Sequence, residues 1–352
     1  MNINQLTNKS ALLVLLAVVL VAVFLLSLSL GSVSIPVEQI VTILFGGAAA
    51  KASWATIVLK FRLPKAITAA LAGAALAASG LQMQTLFRNP LAGPFVLGIS
   101  SGASLGVALV VLAAGVAGGN SLLAGVNLTG DVSLALASVG GSAFVLLLVM
   151  GVARRVQSTM TLLILGLMFG YTTSALVSVL LYFSIAERVQ AYISWTFGSF
   201  GGVTWSQLQL FGPVVVTALI LSHLLVKPLN ALLLGETYAR SMGLNVGLAR
   251  LGVIAAAAAL AGVVTAFCGP IGFLGIAVPH LCRSLFNTSD HRLLLPAVTL
   301  VGGILALAAD LLAQLPGSQL TLPLNAVTAL LGAPVVTWVI LRQRNLRESF
   351  AG

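Results

Sequence analysis

The chain has 352 residues, of which 59% are hydrophobic and only 7% are charged, and its mean hydropathy is +1.12. A soluble protein of this length could not bury so much apolar surface, so the composition excludes one and indicates a membrane protein. The formal net charge of +10 is typical of proteins that bind nucleic acid, but basic residues are also enriched in the cytoplasmic loops of membrane proteins. No nucleic-acid partner is predicted.

Ten apolar segments are candidate membrane spans, since a spanning helix needs roughly 20 residues. In chain order they cover 11–31, 64–86, 93–115, 132–153, 161–184, 205–226, 249–268, 271–286, 294–313 and 322–341. The eighth segment is short and contains Pro279, His280 and Arg283, so we expect a half-depth helix buried against protein. The predicted fold is therefore an all-α polytopic domain of ten helices over 11–341, with tails at 1–10 and 342–352.

The distribution of basic residues predicts the orientation. Ten spans put both termini on one side, together with twelve of the 17 lysines and arginines; Lys51, Lys60, Arg62, Lys65 and Arg188 fall on the other side. Basic residues are enriched in cytoplasmic loops, so both termini are predicted to be cytoplasmic.

The connection at 227–248 differs from the other long loops. Residues 231–246 form an amphipathic pattern of two short helices hinged at glycines, too polar to span a membrane. On the cytoplasmic side of a transport protein, such a loop is a candidate docking surface for a partner. A plain surface loop is the alternative.

A short internal similarity predicts an inverted repeat. Arg62-Leu63 opens a span rich in small residues, which is followed by the sequence Gly93-Pro94-Phe-Val-Leu-Gly98-Ile99. Arg250-Leu251 opens another such span, followed by Gly269-Pro270-Ile-Gly-Phe-Leu-Gly275-Ile276. The first copy begins on the far side and the second in the cytoplasm, which is typical of transporters, although a match this short could also arise by chance.

Polar groups within the predicted spans are scarce. Asp310 lies near the far end of the ninth span, where we expect a hydrogen-bonded structural role. His280 follows Pro279, and we expect it to satisfy backbone groups that the proline frees. A proton relay is the alternative for His280. Ion-driven carriers usually place carboxylates at mid-depth, and this chain also lacks the G-x-x-x-x-G-K-[S/T] phosphate loop. We therefore expect the energy for transport to come from outside this chain. We also expect that the chain is not an enzyme, since its few polar residues do not cluster as an acid–base set.

A series of motifs between residues 60 and 341 resembles the iron-chelate, haem and vitamin B12 permease family of bacterial ABC importers. They include Arg62-Leu-Pro-Lys65, Gly73-Ala-Ala-Leu-Ala-Ala-Ser-Gly80, Arg88-Asn89-Pro90-Leu-Ala-Gly-Pro94, Trp195-Thr-Phe-Gly-Ser199, Leu234-Gly-Glu236-x-x-Ala239-x-x-x-Gly243, Pro279-His280-x-x-Arg283 and Ala309-Asp310. Each motif is weak alone, but all occur in the same order as in the family.

The resemblance implies a bacterial inner-membrane permease with ten spans per subunit that pairs with a second permease subunit. Two cytoplasmic ATPase subunits would bind ATP and Mg, and a periplasmic or lipid-anchored binding protein would deliver the substrate; no cofactor is implied in this chain. The substrate is predicted to be a ferric siderophore, with vitamin B12 or haem as alternatives. The stretch from Tyr182 to Trp205 is similar to vitamin B12 permeases. An ion-coupled secondary carrier is a further alternative.

The resemblance also implies roles for individual residues. The coupling element seated on the ATPase would contain Gly235, Glu236, Ala239, Arg240 and Gly243. Arg62, Lys65 and Gln314 would face the binding protein, although family members often have a basic residue where this chain has Gln314, and arginine where it has Lys65. Ser158, Thr159 and Met160 would form the cytoplasmic gate, with an ordinary helix cap as the alternative. Structural motif residues would be Arg88, Asn89, Pro90, Pro279, His280, Arg283 and Asp310.

Overall fold

A computed structural model of the chain describes residues 3–112, 131–156, 158–315 and 321–348, and within these ranges all regular structure is helical. The helices are α1 (Ile3–Ser29), α2 (Val37–Leu44), α3 (Ala52–Thr56), α4 (Leu63–Leu86), α5 (Ile99–Val111), α6 (Asp131–Arg155), α7 (Thr159–Tyr182), α8 (Ala186–Thr196), α9 (Trp205–Leu224), α10 (Val226–Leu233), α11 (Glu236–Ser241), α12 (Val246–Cys268), α13 (Leu274–Phe286), α14 (His291–Gln314) and α15 (Leu324–Glu348). A π-helical segment, Ile57–Arg62, joins α3 to α4. Helical structure thus extends into both predicted tails.

Seven stretches of the described chain are long and apolar enough to cross a membrane. They are Lys9–Ser29, Ala52–Leu86, Leu134–Arg155, Met160–Tyr182, Trp205–Leu224, Val246–Cys268 and His291–Gln314. Three shorter apolar helices, Ile99–Val111, Leu274–Phe286 and Leu324–Thr337, lie where the third, eighth and tenth spans were predicted. The all-helical, multi-span fold is confirmed, whereas full-length spans number seven among the described residues.

The predicted third span, 93–115, is broken at its start. Pro94–Leu97 forms a 3₁₀ turn, Gly98 has φ +74°, and α5 begins only at Ile99. With 13 residues, α5 extends over about 20 Å, well short of a hydrocarbon core of roughly 30 Å. Hydropathy did not reveal this break, because the glycine and proline residues at 93–98 change the backbone conformation while the segment remains apolar. Residues 113–115 of this predicted span lie outside the described residues.

The helix α4 lies at the centre of the bundle. Its apolar window is 83% buried, compared with 11% for α1 and 22% for α7. Close packing depends on small residues: a Cβ atom added at Gly73 would lie 2.1 Å from the carbonyl oxygen of Gly302, and one at Gly80 would lie 1.7 Å from that of Gly275. The backbones of α14 and α13 therefore touch that of α4 directly, as expected for membrane helices.

The helices occur in the order that the predicted inverted repeat requires, and the repeat itself stays a prediction. The long helix α4 is followed by a Gly-Pro turn and the 13-residue α5, and the long helix α12 by a Gly-Pro turn and the 13-residue α13. The long helices α4 and α12 pack against each other in opposite directions. The two turns lie close together, since a Cβ atom added at Gly275, just after the second turn, would lie 2.5 Å from Cδ of Pro94 in the first turn.

The segments that connect the helices form two groups, one at each face of the bundle, and hydrogen bonds or ion pairs join the segments within each group. One face, here the coupling face, contains segments 84–90, 226–250 and 280–292 together with the end of α6 at Val156. The other, here the opposite face, contains segments 28–35, 57–65, 195–205, 268–272, 310–315 and 321–325. This grouping agrees with the alternation predicted from the sequence, while the assignment of the coupling face to the cytoplasm remains a prediction.

Candidate functional site

The coupling face is built around the two short helices α10 and α11. Gly235 separates them with φ +106°, a conformation that residues with a Cβ rarely adopt. Gly243, with φ +83°, ends α11: its amide bonds to the Arg240 carbonyl and the Leu244 amide to the Ala239 carbonyl, which is a Schellman motif. Two short helices separated by Gly235 are present as predicted, but α10 begins at Val226, before the predicted start at residue 231.

The surface of α11 has one buried and one exposed side. Ala239 is fully buried, whereas Tyr238 and Met242 are more than half exposed. The short helix therefore lies flat on the bundle and presents an aromatic and a thioether side chain outward. This is a shape that a groove in another protein can accept.

Glu236, at the start of α11, forms two ion pairs. Its carboxylate lies 2.8 Å from Nη2 of Arg250 at the beginning of α12 and 3.6 Å from Nη2 of Arg240 one turn further along α11. The Arg250 side chain is only 5% exposed, and its Nη1 donates to the carbonyl oxygen of Val156 at 2.9 Å. The sequence analysis placed Arg250 only at the opening of a span. The sequence did contain an indication that Arg250 has a partner: it is a charged residue in an otherwise apolar helix, and a buried charge requires a partner.

The predicted gate lies directly beyond Val156. Ser158 caps α7, accepting a hydrogen bond from the Thr161 amide at 3.3 Å, and Met160 is 65% exposed. The helix-cap alternative is thus confirmed for Ser158. The Thr159 side chain lies outside the described part of the chain, and a gating role for these residues remains a prediction.

A second polar cluster ties α10 to the bundle. Asn230 donates to Asp290 at 2.7 Å and accepts from the amide of His291 at 2.9 Å, while Nε2 of His291 lies 2.9 Å from the Thr85 hydroxyl of α4. Burial opposes ionisation of Asp290, but hydrogen bonds from the Arg292 amide and Asn230, with the charge of Arg292, outweigh it and hold the Asp290 pKa below its usual value. The sequence analysis assigned no role to Asn230, Asp290 or His291.

The Arg88-Asn89-Pro90 turn is joined to α13. Nε2 of His280 lies 2.7 Å from the Pro90 carbonyl oxygen, and Nη1 of Arg283 donates to Gln84 at 2.6 Å. The expectation that His280 satisfies backbone freed by Pro279 in its own helix is therefore wrong, because its bond goes to a separate segment. The turn itself requires φ +48° at Arg88 and is closed by an Asn89 side chain that accepts from the Leu91 amide.

On the opposite face, the three predicted docking residues make bonds within the chain. The guanidinium of Arg62 donates to the carbonyl oxygens of Leu28 at 2.7 Å and Ser29 at 2.9 Å, at the C-terminal end of α1. Lys65 pairs with Asp310 at 3.0 Å, and Gln314 donates to the same carboxylate at 2.7 Å. The structural role expected of Asp310 is confirmed, and these contacts give Arg62, Lys65 and Gln314 structural roles that the sequence analysis did not predict.

A cavity of about 280 Å³ opens beside this cluster, lined in part by Lys65, Asp310 and Gln314. Asn325, near the start of α15, lies beside this cavity. Its side chain accepts from the Gly272 amide at 3.0 Å, and its own amide donates to the Phe197 carbonyl at 3.0 Å. Asn325 thus joins three segments of the opposite face.

Comparison with known proteins identifies the chain. The model of the FecCD transport family matches residues 19–342. The chain belongs to the FecCD transport family. The vitamin B12 import system permease protein BtuC of Klebsiella pneumoniae subsp. pneumoniae is 41% identical over 286 residues, covering 81% of this chain and 82% of that protein. BtuC of Salmonella typhimurium is 40% identical over 285 residues, covering 81% and 83%.

The fold comparison agrees with this FecCD assignment. A solved structure of an ABC transporter described as of the metal-chelate type, in an inward-facing conformation, matches with a TM-score of 0.82 and 28% identity. The match covers 95% of this chain and 99% of that one. Membership of the FecCD family makes this chain a multi-span permease subunit of a bacterial ABC importer, and permease subunits transport without being enzymes.

Proposed function

We propose that the chain is the permease subunit of an ATP-driven importer of vitamin B12. The observation that supports this proposal best is 40–41% identity, over 81% of the chain, to permeases of vitamin B12 import systems. The likeness to the metal-chelate type transporter extends over more of the chain, but at 28% identity. The comparisons therefore favour vitamin B12 over the ferric siderophore that the sequence analysis placed first.

The coupling face is the proposed site of energy input. Two ATPase subunits, which would bind ATP and Mg, would each receive the α10–α11 pair of one permease subunit in a groove. Glu236, Arg240 and the exposed side chains of α11 form the contact surface in this proposal. A short helix held to the bundle by ion pairs can transmit a rigid-body movement, and the pairs of Glu236 supply that attachment.

The opposite face is the proposed docking surface for a binding protein that delivers the substrate. The nitrogen donors of Arg62 and Lys65 are engaged within the chain. In the part of the chain that the structure describes, the Arg62 guanidinium bonds to carbonyl oxygens and forms no ion pair with a carboxylate. Its positive charge can therefore still attract acidic side chains of a binding protein. In this proposal Arg62 and Lys65 affect the orientation of the docked binding protein and its rate of association with the permease more than its affinity.

Reconstitution tests the substrate. Proteoliposomes would contain the permease, its cognate ATPase and its binding protein, with ATP inside, and would be offered labelled cobalamin, a ferric siderophore and haem in separate arms. We expect accumulation of cobalamin, with inhibition by excess unlabelled cobalamin. Accumulation of the siderophore or haem without cobalamin would overturn the proposed substrate, and uptake abolished by dissipating the proton gradient at constant ATP would support an ion-coupled carrier instead.

A further inference from the structure

Arg250 connects three parts of the coupling face through one side chain. It belongs to α12, its Nη2 pairs with Glu236 of α11 at 2.8 Å, and its Nη1 donates to the Val156 carbonyl at 2.9 Å. Val156 follows the last residue of α6, and its amide still bonds to the Val152 carbonyl. Arg250 therefore binds the C-terminal end of α6 and the N-terminal end of α11 at the same time.

The two contacts have different physical origins. The Val156 carbonyl is one of the acceptors that a helix leaves without an intrahelical donor at its C-terminal end, where the helix dipole also favours a positive charge. The Glu236 carboxylate is oriented by Arg240 from within α11. A planar guanidinium has two terminal nitrogens and can donate to both acceptors at once. A lysine side chain has one terminal nitrogen, which cannot lie at hydrogen-bonding distance from both acceptors equally well.

The location of these contacts relates the coupling helix to the predicted gate. Val156 lies two residues before Ser158, which caps α7. A displacement of Glu236 would pull on Arg250 and, through Val156, on the connection between α6 and α7. The Arg250 side chain is 5% exposed, so water cannot readily replace either acceptor.

We propose that Arg250 is a positioning residue that makes α11 and the C-terminal end of α6 move as one unit. This inference rests on the proposed function, because it concerns how ATP-driven movement of α11 reaches the Ser158–Met160 segment. It assigns to Arg250 a role in coupling beyond its contribution to folding. The role requires both guanidinium contacts.

The first test separates ATP turnover from transport. Arg250→Lys and Arg250→Met permeases would be reconstituted with the cognate ATPase and binding protein, and ATP hydrolysis and uptake would be measured on the same vesicles. We expect Arg250→Met to hydrolyse ATP at nearly the wild-type rate while uptake falls at least about tenfold, within the usual range of coupling energies. Arg250→Lys should lie between Arg250→Met and wild type.

The control is Arg154→Lys, because Arg154 is exposed near the end of α6. Substrate uptake by the Arg154→Lys permease should equal that of the wild type. If Arg250→Met does not assemble with the ATPase, the decision rests on Arg250→Lys, which keeps the charge. Reduced uptake per ATP in Arg250→Lys supports the proposal. Wild-type uptake per ATP in whichever Arg250 variant assembles overturns it.

The second test measures the movement and does not depend on the substrate. Spin labels at Arg155→Cys and Met242→Cys, both exposed, report the distance between the end of α6 and the end of α11; the native Cys268 and Cys282 are buried and would not compete for label. Because Met242 lies on the proposed contact surface, the labelled permease is first required to bind the ATPase and to support ATP hydrolysis at the wild-type rate; if it does not, the first test alone decides the proposal. In the complex with the ATPase, adding ATP and Mg should leave this distance distribution narrow with Arg250 present. With Arg250→Met the distribution should broaden or shift.

The two proposals can fail separately. If no cobalamin is taken up but the nucleotide-dependent distance change appears only in the Arg250 variants, the substrate is wrong and the role of Arg250 stands. If the distance distribution responds to ATP identically in wild type and Arg250→Met, the proposed role of Arg250 is wrong whatever the substrate.

Discussion

Nζ of Lys65 lies 3.0 Å from the Asp310 carboxylate, joining α4 to α14 at the opposite face, where the Asp310 side chain is only 8% exposed. Among the described residues, Lys65→Met would leave this carboxylate with only the hydrogen bond from Gln314. We expect a loss of about 2–3 kcal/mol in the free energy of unfolding, because a buried charge loses its counter-ion. Thermal unfolding in detergent measures the change.

The matched control for Lys65 is Lys60→Met, since Lys60 is exposed. The double variant Lys65→Met/Asp310→Asn should recover most of the lost stability, because a carboxamide carries no charge and can still bond to Gln314. If Lys65→Met and Lys60→Met unfold at the same temperature, the ion pair contributes nothing to stability.

Arg62 tests whether a predicted docking residue is also structural. Arg62→Lys keeps the charge but loses the fork that reaches the carbonyl oxygens of Leu28 and Ser29. We expect a decrease of about 1–2 kcal/mol in stability, with little change in the association rate of the binding protein at low salt. Thermal unfolding and stopped-flow association measure the two effects, and a slower association with unchanged stability would contradict this assignment.

Gly80 tests the close approach of α4 to α13. A methyl group at this position would lie 1.7 Å from the Gly275 carbonyl oxygen, so the helices must separate. Gly80→Ala should cost roughly 3 kcal/mol or prevent folding. At Gly151 an added Cβ meets no atom within 4 Å, so Gly151→Ala should leave the unfolding temperature unchanged or raise it slightly; equal effects of the two substitutions would refute the packing argument.

The Asp290 cluster predicts a specific dependence of stability on pH. The folded-state pKa of Asp290 is lowered, so the carboxylate stabilises the folded state above its unfolded-state pKa, and this contribution is lost as pH falls through the lower folded-state pKa. Asp290→Asn keeps a side chain that can cap α14 but does not titrate. The wild type should be more stable than Asp290→Asn at neutral pH, and the difference should vanish on acidification; a constant difference would argue against the charge.

The sequence predicted the features that depend on composition and on glycine. Hydropathy located the long helices, and Gly235 and Gly243 located the hinges of α10 and α11, because few other residues adopt those backbone angles. The break at Gly98 was missed, since a break inside an apolar run leaves the hydropathy unchanged. The partners of Arg250, Asn230 and His280 were also missed, because bonds between residues distant in the chain depend on how the helices pack.

The central claim is that this permease is moved by ATPase subunits and does not transport alone. The most direct measurement is accumulation of labelled cobalamin in proteoliposomes that contain ATP and the binding protein, with and without the cognate ATPase. We predict accumulation only when the ATPase is present, and its loss in Glu236→Arg, which reverses the charge facing Arg250. Accumulation against a concentration gradient by the permease without the ATPase would contradict the claim.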